Sequence, residues 1–328
     1  MILSIESSCD DSAIALTHTI TKELIWHKKI SQDKEHARYG GVVPELAARL
    51  HTEALPRLLE EIKGYLPDVK AIAVTNRPGL SVTLLEGVVM AKTLAGVLDR
   101  PLIGINHLIG HVYSLFIGKE AIFPLSVLLL SGGHSMILEM ETPFEARLVA
   151  TTMDDSFGES FDKVAKMMGL GYPGGPVIEV LARKGDCNAI DLPRPLLRYP
   201  GLAFSFSGLK NAVRMALEKR ELSDQERADL AASFQVRAID HVARMMERYL
   251  SKKQPTHVAV VGGASANLAL RDAIATICNR YHAHLLLAEI AWCSDNAAMI
   301  GRAAIPFYEA KKFDSIENLQ IFPRSELN

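Results

Sequence analysis

A chain of 328 residues, 48% hydrophobic and 23% charged, has enough apolar material for two domains with separate cores and the composition of an ordinary globular protein. A formal net charge of −2 argues against coating nucleic acid by bulk electrostatics, and four scattered cysteines with no CxxC pair argue against a disulfide framework or a cysteine zinc site. The start, MILSIESSCDD, lacks a basic leader and a long apolar core, and no stretch approaches the roughly 20 uninterrupted apolar residues of a membrane span, so a cytoplasmic protein off the membrane is expected.

In chain order, MILSIESSCDDSAIAL reads as a β-hairpin, two apolar strands around a small and acidic turn. A helix is expected over 44–63, with apolar residues at 46, 47, 50, 54, 55, 58, 59 and 62; such a stripe usually packs on its own sheet, a partner face being the minority reading. Strands near 71–75 and 101–105 alternate with helices near 83–97 and 107–117. A second hairpin, FPLSVLLLSGGHSMILEM, covers 123–140, and helices follow near 158–168, 207–219 and 224–250. Between them, 186–206 holds three prolines and little periodicity, as a surface excursion would. Finally, a strand at 257–261 runs into Gly262-Gly263 and a helix. This alternation predicts an α/β protein, and two similar hairpins over a hundred residues apart suggest a duplicated core.

The chemistry-bearing residues fall in a few segments. Ser131-Gly132-Gly133 can bring backbone N–H groups close to a phosphate, because glycine has no Cβ to hold a ligand away. Gly-Gly is also a common turn, but its repetition near Gly262-Gly263 suggests a nucleotide in a cleft between two related halves. Neither GxxxxGK[ST] nor GxGxxG occurs, so a P-loop and a dinucleotide fold find no support. In INHLIGHVYS, Asn106 is a candidate N-cap, and a helix there sets His107 and His111 on one face, where two imidazoles can chelate a cation. Leu108 stands where a zinc protease needs its water-activating Glu. Spacing alone leaves the third ligand open among many acids, Asp295 included. DDSFGESFDK, YPGGP and FSFSGLK each admit a structural reading: capping acids, a loop stop and a strand-to-helix turn. Between Arg183 and Arg220 eight basic residues face three acids, a local patch suited to one anionic partner, or simply a solvated surface.

Taken together, ESSCDDSAIAL, VPELAAR, NHLIGH, LLLSGGHS, FGESFDK, GLGYPGGP, FSFSGLK, DLAASFQ, VVGGASAN and CSDNAAMIG resemble, in order and over nearly the whole chain, the TsaD family of tRNA threonylcarbamoyladenosine transferases. The resemblance implies the ASKHA fold of actin and sugar kinases, two ribonuclease-H-like subdomains closing on a nucleotide. The expected division is 1–117, with 304–328 packing back on it, and 118–303 with an insert around 183–220. The family's metal set implies His107, His111 and Asp295 around one divalent ion; two His and one carboxylate suit iron, with zinc the competing ion. An adenine nucleotide, threonylcarbamoyl-AMP or ATP/AMP, is implied at Leu129, Leu130, Ser131, Gly132, Gly133, Asp162, Gly175, Glu179 and Asn267. The implied reaction moves a threonylcarbamoyl group from threonylcarbamoyl-AMP to N6 of the adenosine after the anticodon of ANN-decoding tRNAs, with Asp10 as the expected catalytic residue and Asp11 its rival. Implied partners are tRNA, a TsaB-like paralogue, a TsaE-like ATPase and a separate synthase that supplies the activated intermediate. An ASKHA ATPase or small-molecule kinase is the competing reading. Arg77 and Val82, in RPGLSVTL, replace glycines usual in the family, and Arg77 is a candidate phosphate contact.

Overall fold

The computed structural model describes the chain except Arg220, Ser325, Glu326, Asn328 and the side chain of Lys219. The last residue of the basic stretch and part of the C-terminal tail expected on the first subdomain thus lie outside the described residues. Two compact units emerge: Met1–Phe123 with Glu141–Ala146 and Ala288–Asn328, and Pro124–Met140 with Arg147–Leu287.

The first unit contains strands β1 (Ile2–Glu6), β2 (Asp11–Thr17), β3 (Leu24–Ser31), β4 (Ala71–Arg77) and β5 (Leu102–Asn106), in the order β3-β2-β1-β4-β5. β1 and β2 pair antiparallel, Ile5 facing Ile14, while β1, β4 and β5 run parallel. Parallel strands are covered on both faces and therefore need continuous apolar sequence; every residue of β1 is buried, whereas edge strand β3 shows partial exposure along its length. Its helices are α1 (Asp33–Ala37), α2 (Pro44–Glu61), α3 (Ser81–Leu98), α4 (His107–Tyr113) and α10 (Ala297–Glu309).

The second unit repeats the plan with β6 (Leu125–Leu130), β7 (Ser135–Met140), β8 (Arg147–Thr151), β9 (His257–Val261) and β10 (His284–Leu287), ordered β10-β9-β6-β7-β8. β6, β7 and β8 are antiparallel neighbours, and β6, β9 and β10 are parallel, so each sheet has a hairpin-and-edge side and a parallel side. Its helices are α5 (Phe157–Met167), α6 (Gly174–Ala182), α7 (Ser207–Lys219), α8 (Asp224–Lys253) and α9 (Leu268–Arg280). The excursion at 186–206 forms no helix or strand.

One sheet face of the first unit packs Leu3, Ile5, Ile14 and Leu16 against Leu55 and Leu58 of α2 and Val88, Ala91 and Leu94 of α3. The apolar stripe of α2 is therefore spent on its own core. α3 is long and apolar enough by composition to cross a membrane, and Val88, Ala91, Leu94 and Ala95 are buried in this core. On the other face small residues dominate: Ala13 and Ala15 meet Ala297 and Ala298 of α10. Gly301 lets that helix come close, since a Cβ there would lie 2.5 Å from Thr17 Oγ1. α10 thus belongs to the first unit, although the expected boundary put residues up to 303 in the second; the small-residue face on β1 and β2 draws it there. In the second unit, Phe157, Phe161, Phe206 and Phe234 form a contiguous aromatic cluster, with centroids 4.7 Å apart for Phe157–Phe161 and 4.9 Å for Phe161–Phe234.

Candidate metal centre

The N-cap expected at Asn106 is present, its side chain accepting from Leu108 N at 2.8 Å. It starts a short helix in which every residue is buried, with His107 and His111 one turn apart and ring centroids 4.6 Å apart. The helical run ends at Tyr113 and tightens into a 3-10 turn over Ser114–Phe116, within the helix expected to reach 117. Gly110 allows close packing on α10, as a Cβ there would sit 2.7 Å from Ile300 Cδ1. That packing brings in Asp295, which immediately precedes Asn296, the N-cap of α10. The buried Arg302 of α10 donates to the carbonyls of Phe116 at 2.7 Å and Lys119 at 2.9 Å, fixing α10 to the segment that follows α4.

Asp295 Oδ1 lies 3.4 Å from His107 Nε2 and 3.2 Å from His111 Nε2, and one ligand atom from each residue falls within 4.8 Å of the others. Both ring nitrogens of His111 are buried without a hydrogen-bond partner among the described residues. A buried nitrogen so close to a carboxylate yet not bonded to it is costly unless something between them takes both lone pairs, and a divalent cation does. His107, His111 and Asp295 can therefore hold a metal ion. Burial opposes charge here, but Asp295 and Glu6 hold His107 well above the usual histidine range, and His107 holds the Asp295 carboxyl well below the usual carboxylate range. Burial keeps His111 below its ordinary value.

Beside these ligands runs the loop between β1 and β2. Its backbone is gripped at three successive carbonyls: Ser8 O by Leu80 N (2.9 Å) and Thr83 Oγ1 (3.1 Å), Cys9 O by His51 Nε2 (3.0 Å), and Asp10 O by Gln32 N (3.1 Å). Gly79 is required, because a Cβ would lie 2.6 Å from Ser8 O. Asp11 is tied to Lys29 at 2.7 Å, and burial raises its carboxyl to about 7. Asp10 is likewise raised by burial and by the Asp295 charge. Arg77 stacks on the Phe322 ring, 4.8 Å from its centroid. The sequence reading missed Glu6, buried at the end of β1 and facing His107 Nδ1 at 3.1 Å. Its signal was legible: an acid closing a strand whose other residues, apart from Ser4, are apolar.

The expected nucleotide residues all lie in the second unit. Leu129 and Leu130 are wholly buried in β6, so only their backbone can meet a ligand. Ser131 opens a tight turn, its N donating to His134 O at 2.8 Å and its Oγ accepting from His134 N at 3.1 Å. Gly132, Gly133 and Gly175 have open space where a Cβ would stand. Asp162 Oδ1 accepts from Gly174 N at 2.7 Å, Glu179 Oε1 accepts from Leu268 N at 3.2 Å, and Asn267 caps α9 while donating to Gln235 at 2.9 Å. These three polar side chains thus also hold the starts of α6 and α9. The acids of DDSFGESFDK follow their structural reading. Asp154 accepts from Ser205 Oγ (2.6 Å), Phe206 N (2.8 Å) and Ser207 Oγ (2.6 Å), Asp155 pairs with Lys163 and Lys210, and Ser156 with Glu159 forms a capping box.

Residues 23–302 match the family described as TsaD, tRNA N6-adenosine threonylcarbamoyltransferase. The chain belongs to this family. Curated relatives bearing the family name include one from a Nitratiruptor species, 60% identical over 99% of each chain. Another is from Helicobacter pylori, 54% identical over 100% of this chain and 99% of the relative. Among solved structures, T. kodakarensis HypF superposes with a TM-score of 0.64 at 13% identity, over 98% of this chain and 49% of that one. The activator of 2-hydroxyisocaproyl-CoA dehydratase from Clostridium difficile gives 0.55 at 15% identity, over 95% of this chain and 96% of its own. At such identities they speak to fold alone. With the duplicated strand order they establish the ASKHA fold expected for the family.

Proposed function

We propose that this chain transfers the threonylcarbamoyl group of threonylcarbamoyl-AMP to N6 of the adenosine after the anticodon in ANN-decoding tRNA, releasing AMP. The observation that carries the reading is family membership over nearly the full length, together with the convergence of His107, His111 and Asp295. A mixed carbamic-phosphoric anhydride is already activated, so no covalent nucleophile is needed. The N6 lone pair adds to the carbamoyl carbon, the bond from that carbon to the phosphate oxygen breaks with its electrons on AMP, and the N6 proton goes to a base. We assign that base to Asp10, because the carboxylate of neighbouring Asp11 is engaged by Lys29. His107, His111 and Asp295 would hold the metal, iron in our assignment with zinc the alternative, which when bound stabilises negative charge developing in the transfer. The backbone at Leu129–Gly133, with Asp162, Gly175, Glu179 and Asn267, would hold the adenylate. Glu179 offers a carboxylate to ribose hydroxyls, and the open glycines let the ligand approach the backbone.

As partners we propose tRNA, a TsaB-like paralogue and a TsaE-like ATPase, with a separate synthase supplying the intermediate in the cytoplasm. Since α2 spends its stripe on the core, the TsaB-like subunit is better served by α3, where Val82, Leu85 and Val89 are exposed. Within the basic stretch Lys210, Arg214 and Arg183 are paired with acids, so exposed Arg194 and Arg198 are the residues we assign to tRNA. The deciding experiment incubates the chain with unmodified tRNA and threonylcarbamoyl-AMP, with and without both partners and with Fe²⁺ or Zn²⁺, then analyses the nucleosides by mass. A threonylcarbamoylated adenosine is expected; its absence under every combination, with phosphorylation of a small acceptor instead, would restore the kinase reading.

A further inference from the structure

Glu6 is wholly buried, yet its carboxylate is fully employed by donors. Oε1 accepts from Ser8 N at 2.6 Å, and Oε2 accepts from Thr75 Oγ1 at 2.5 Å while standing 3.1 Å from His107 Nδ1. An ionised carboxylate can only accept. A histidine that ligates a metal is neutral, and the one hydrogen of His107 must then sit on Nδ1, which leaves the lone pair on Nε2, the atom 3.4 Å from Asp295 Oδ1. Ser8 Oγ, also 3.1 Å from His107 Nδ1, can then only share that hydrogen as a second acceptor. His111 has no such backing, its Nδ1 being without a partner among the described residues.

We propose that Glu6 is a positioning residue of the metal centre: it fixes the tautomer and ring orientation of His107, making that imidazole the preorganised ligand and His111 the adaptable one. The inference rests on the metal reading above and deepens it. Two carboxylates, Asp295 at the ion and Glu6 one imidazole behind it, match the charge of a divalent cation. Because Glu6 also holds Ser8 N, the same carboxylate joins the metal centre to the loop that carries Asp10.

The test uses the full-length chain and Co²⁺, whose absorption bands report inner-sphere binding, with Zn²⁺ as competitor. In Glu6→Gln the amide nitrogen turned toward His107 donates to Nδ1, moving the ring hydrogen to Nε2 and blocking the ligand atom. Co²⁺ affinity should fall about 10- to 100-fold, the usual cost of losing a carboxylate behind a metal-bound histidine. Glu6→Asp, which keeps the charge on a shorter arm, should recover part of it, and Ser8→Ala should bind within about twofold of wild type, since the neutral hydroxyl is the weaker acceptor. Nitrogen-15 spectra of the Zn²⁺-loaded protein give a readout that a purely structural role would not move: His107 should ligate through Nε2 with its hydrogen on Nδ1 in wild type and lose that pattern in Glu6→Gln. Unchanged Co²⁺ affinity in Glu6→Gln, or a loss in Ser8→Ala as large, overturns the role of Glu6 while leaving the metal centre standing. Wild type that binds neither ion overturns both.

Discussion

The two units share one strand order and differ in what they place after the first strand of each sheet. In the first unit β1 ends in Glu6 and runs through Ser8, Cys9 and Asp10, a loop rich in acids whose carbonyls are held one by one from α2, α3 and Gln32. In the second unit β6 ends in the Ser131–Gly133 turn, with no acid and with open space around both glycines. A fixed array of carboxylates and imidazoles suits a cation; an uncrowded run of backbone N–H groups suits an anion. One duplicated scaffold has thus been finished in two opposite electrostatic senses.

If that division of labour holds, damage to the first unit should remove metal and transfer while leaving adenylate binding intact. Asp295→Ala takes away the ligand atom shared by both histidines and leaves two buried imidazoles facing each other. Metal content measured by mass spectrometry should drop to background, and transfer should fall by at least about 10³-fold, as losing electrostatic stabilisation of developing charge commonly costs. Binding of AMP, followed by calorimetry, should stay within about twofold of wild type, because every residue assigned to the adenylate belongs to the second unit. A matching loss of AMP affinity would break the comparison.

Asp10→Asn separates proton capture from metal holding within the first unit. Transfer should fall about 10²- to 10⁴-fold, the range for removing a general base, with metal content unchanged. Full activity in this variant would pass the role to Asp11, despite its tie to Lys29.

A smaller effect is expected from the backbone of the second unit. Gly262 has φ +92°, and a Cβ there would stand 2.3 Å from Leu130 O, so Gly262→Ala both strains the chain and clashes with the end of β6, where the Ser131 turn begins. The variant should lose about 3 kcal/mol of stability, the upper end for a residue forced into glycine-only backbone, read from urea unfolding. Its metal content should not change.

How far these differences were legible in sequence depends on range. The hairpins, the alternation of strands with helices, and the α4 cap at Asn106 are local, set by apolar period and turn chemistry over a few residues. His107 and His111 were visible as a pair because four residues make one helical turn. Asp295 was not, since it arrives through Gly110 packing on Ile300 across nearly two hundred residues, and only the family resemblance named it. Similarly, strands β3, β8 and β10 went unread: as sheet edges they are partly exposed and lack the continuous apolar run that marks β1 or β6. The double duty of Asp162, Glu179 and Asn267 was hidden for the same reason, their partners being helix starts elsewhere in the second unit.

The finest test concerns acid. Each unit buries a histidine outside the metal centre whose charging is resisted: burial lowers His27 in the first unit to about 4, and burial together with the Arg244 charge lowers His241 in the second to about 4. His241 Nε2 accepts from Ser205 N at 3.1 Å, and its ring stands edge-on to Phe206 at 5.4 Å, so a proton added there would sit among aromatic rings and oppose that hydrogen bond. Because the folded value lies below the ordinary 6.5, the unfolded chain takes up protons first as pH falls, and stability drops through the window from about 6.5 to 4. For His241 alone the loss between pH 7 and pH 5 is about 2 kcal/mol. His241→Gln keeps an acceptor for Ser205 N without a titrating ring, so urea unfolding at the two pH values should show a loss smaller by that amount, whatever the variant costs at neutral pH. An equal loss in wild type and variant would pass the acid sensitivity to the first unit, where burial holds both His27 and His51 below their ordinary value.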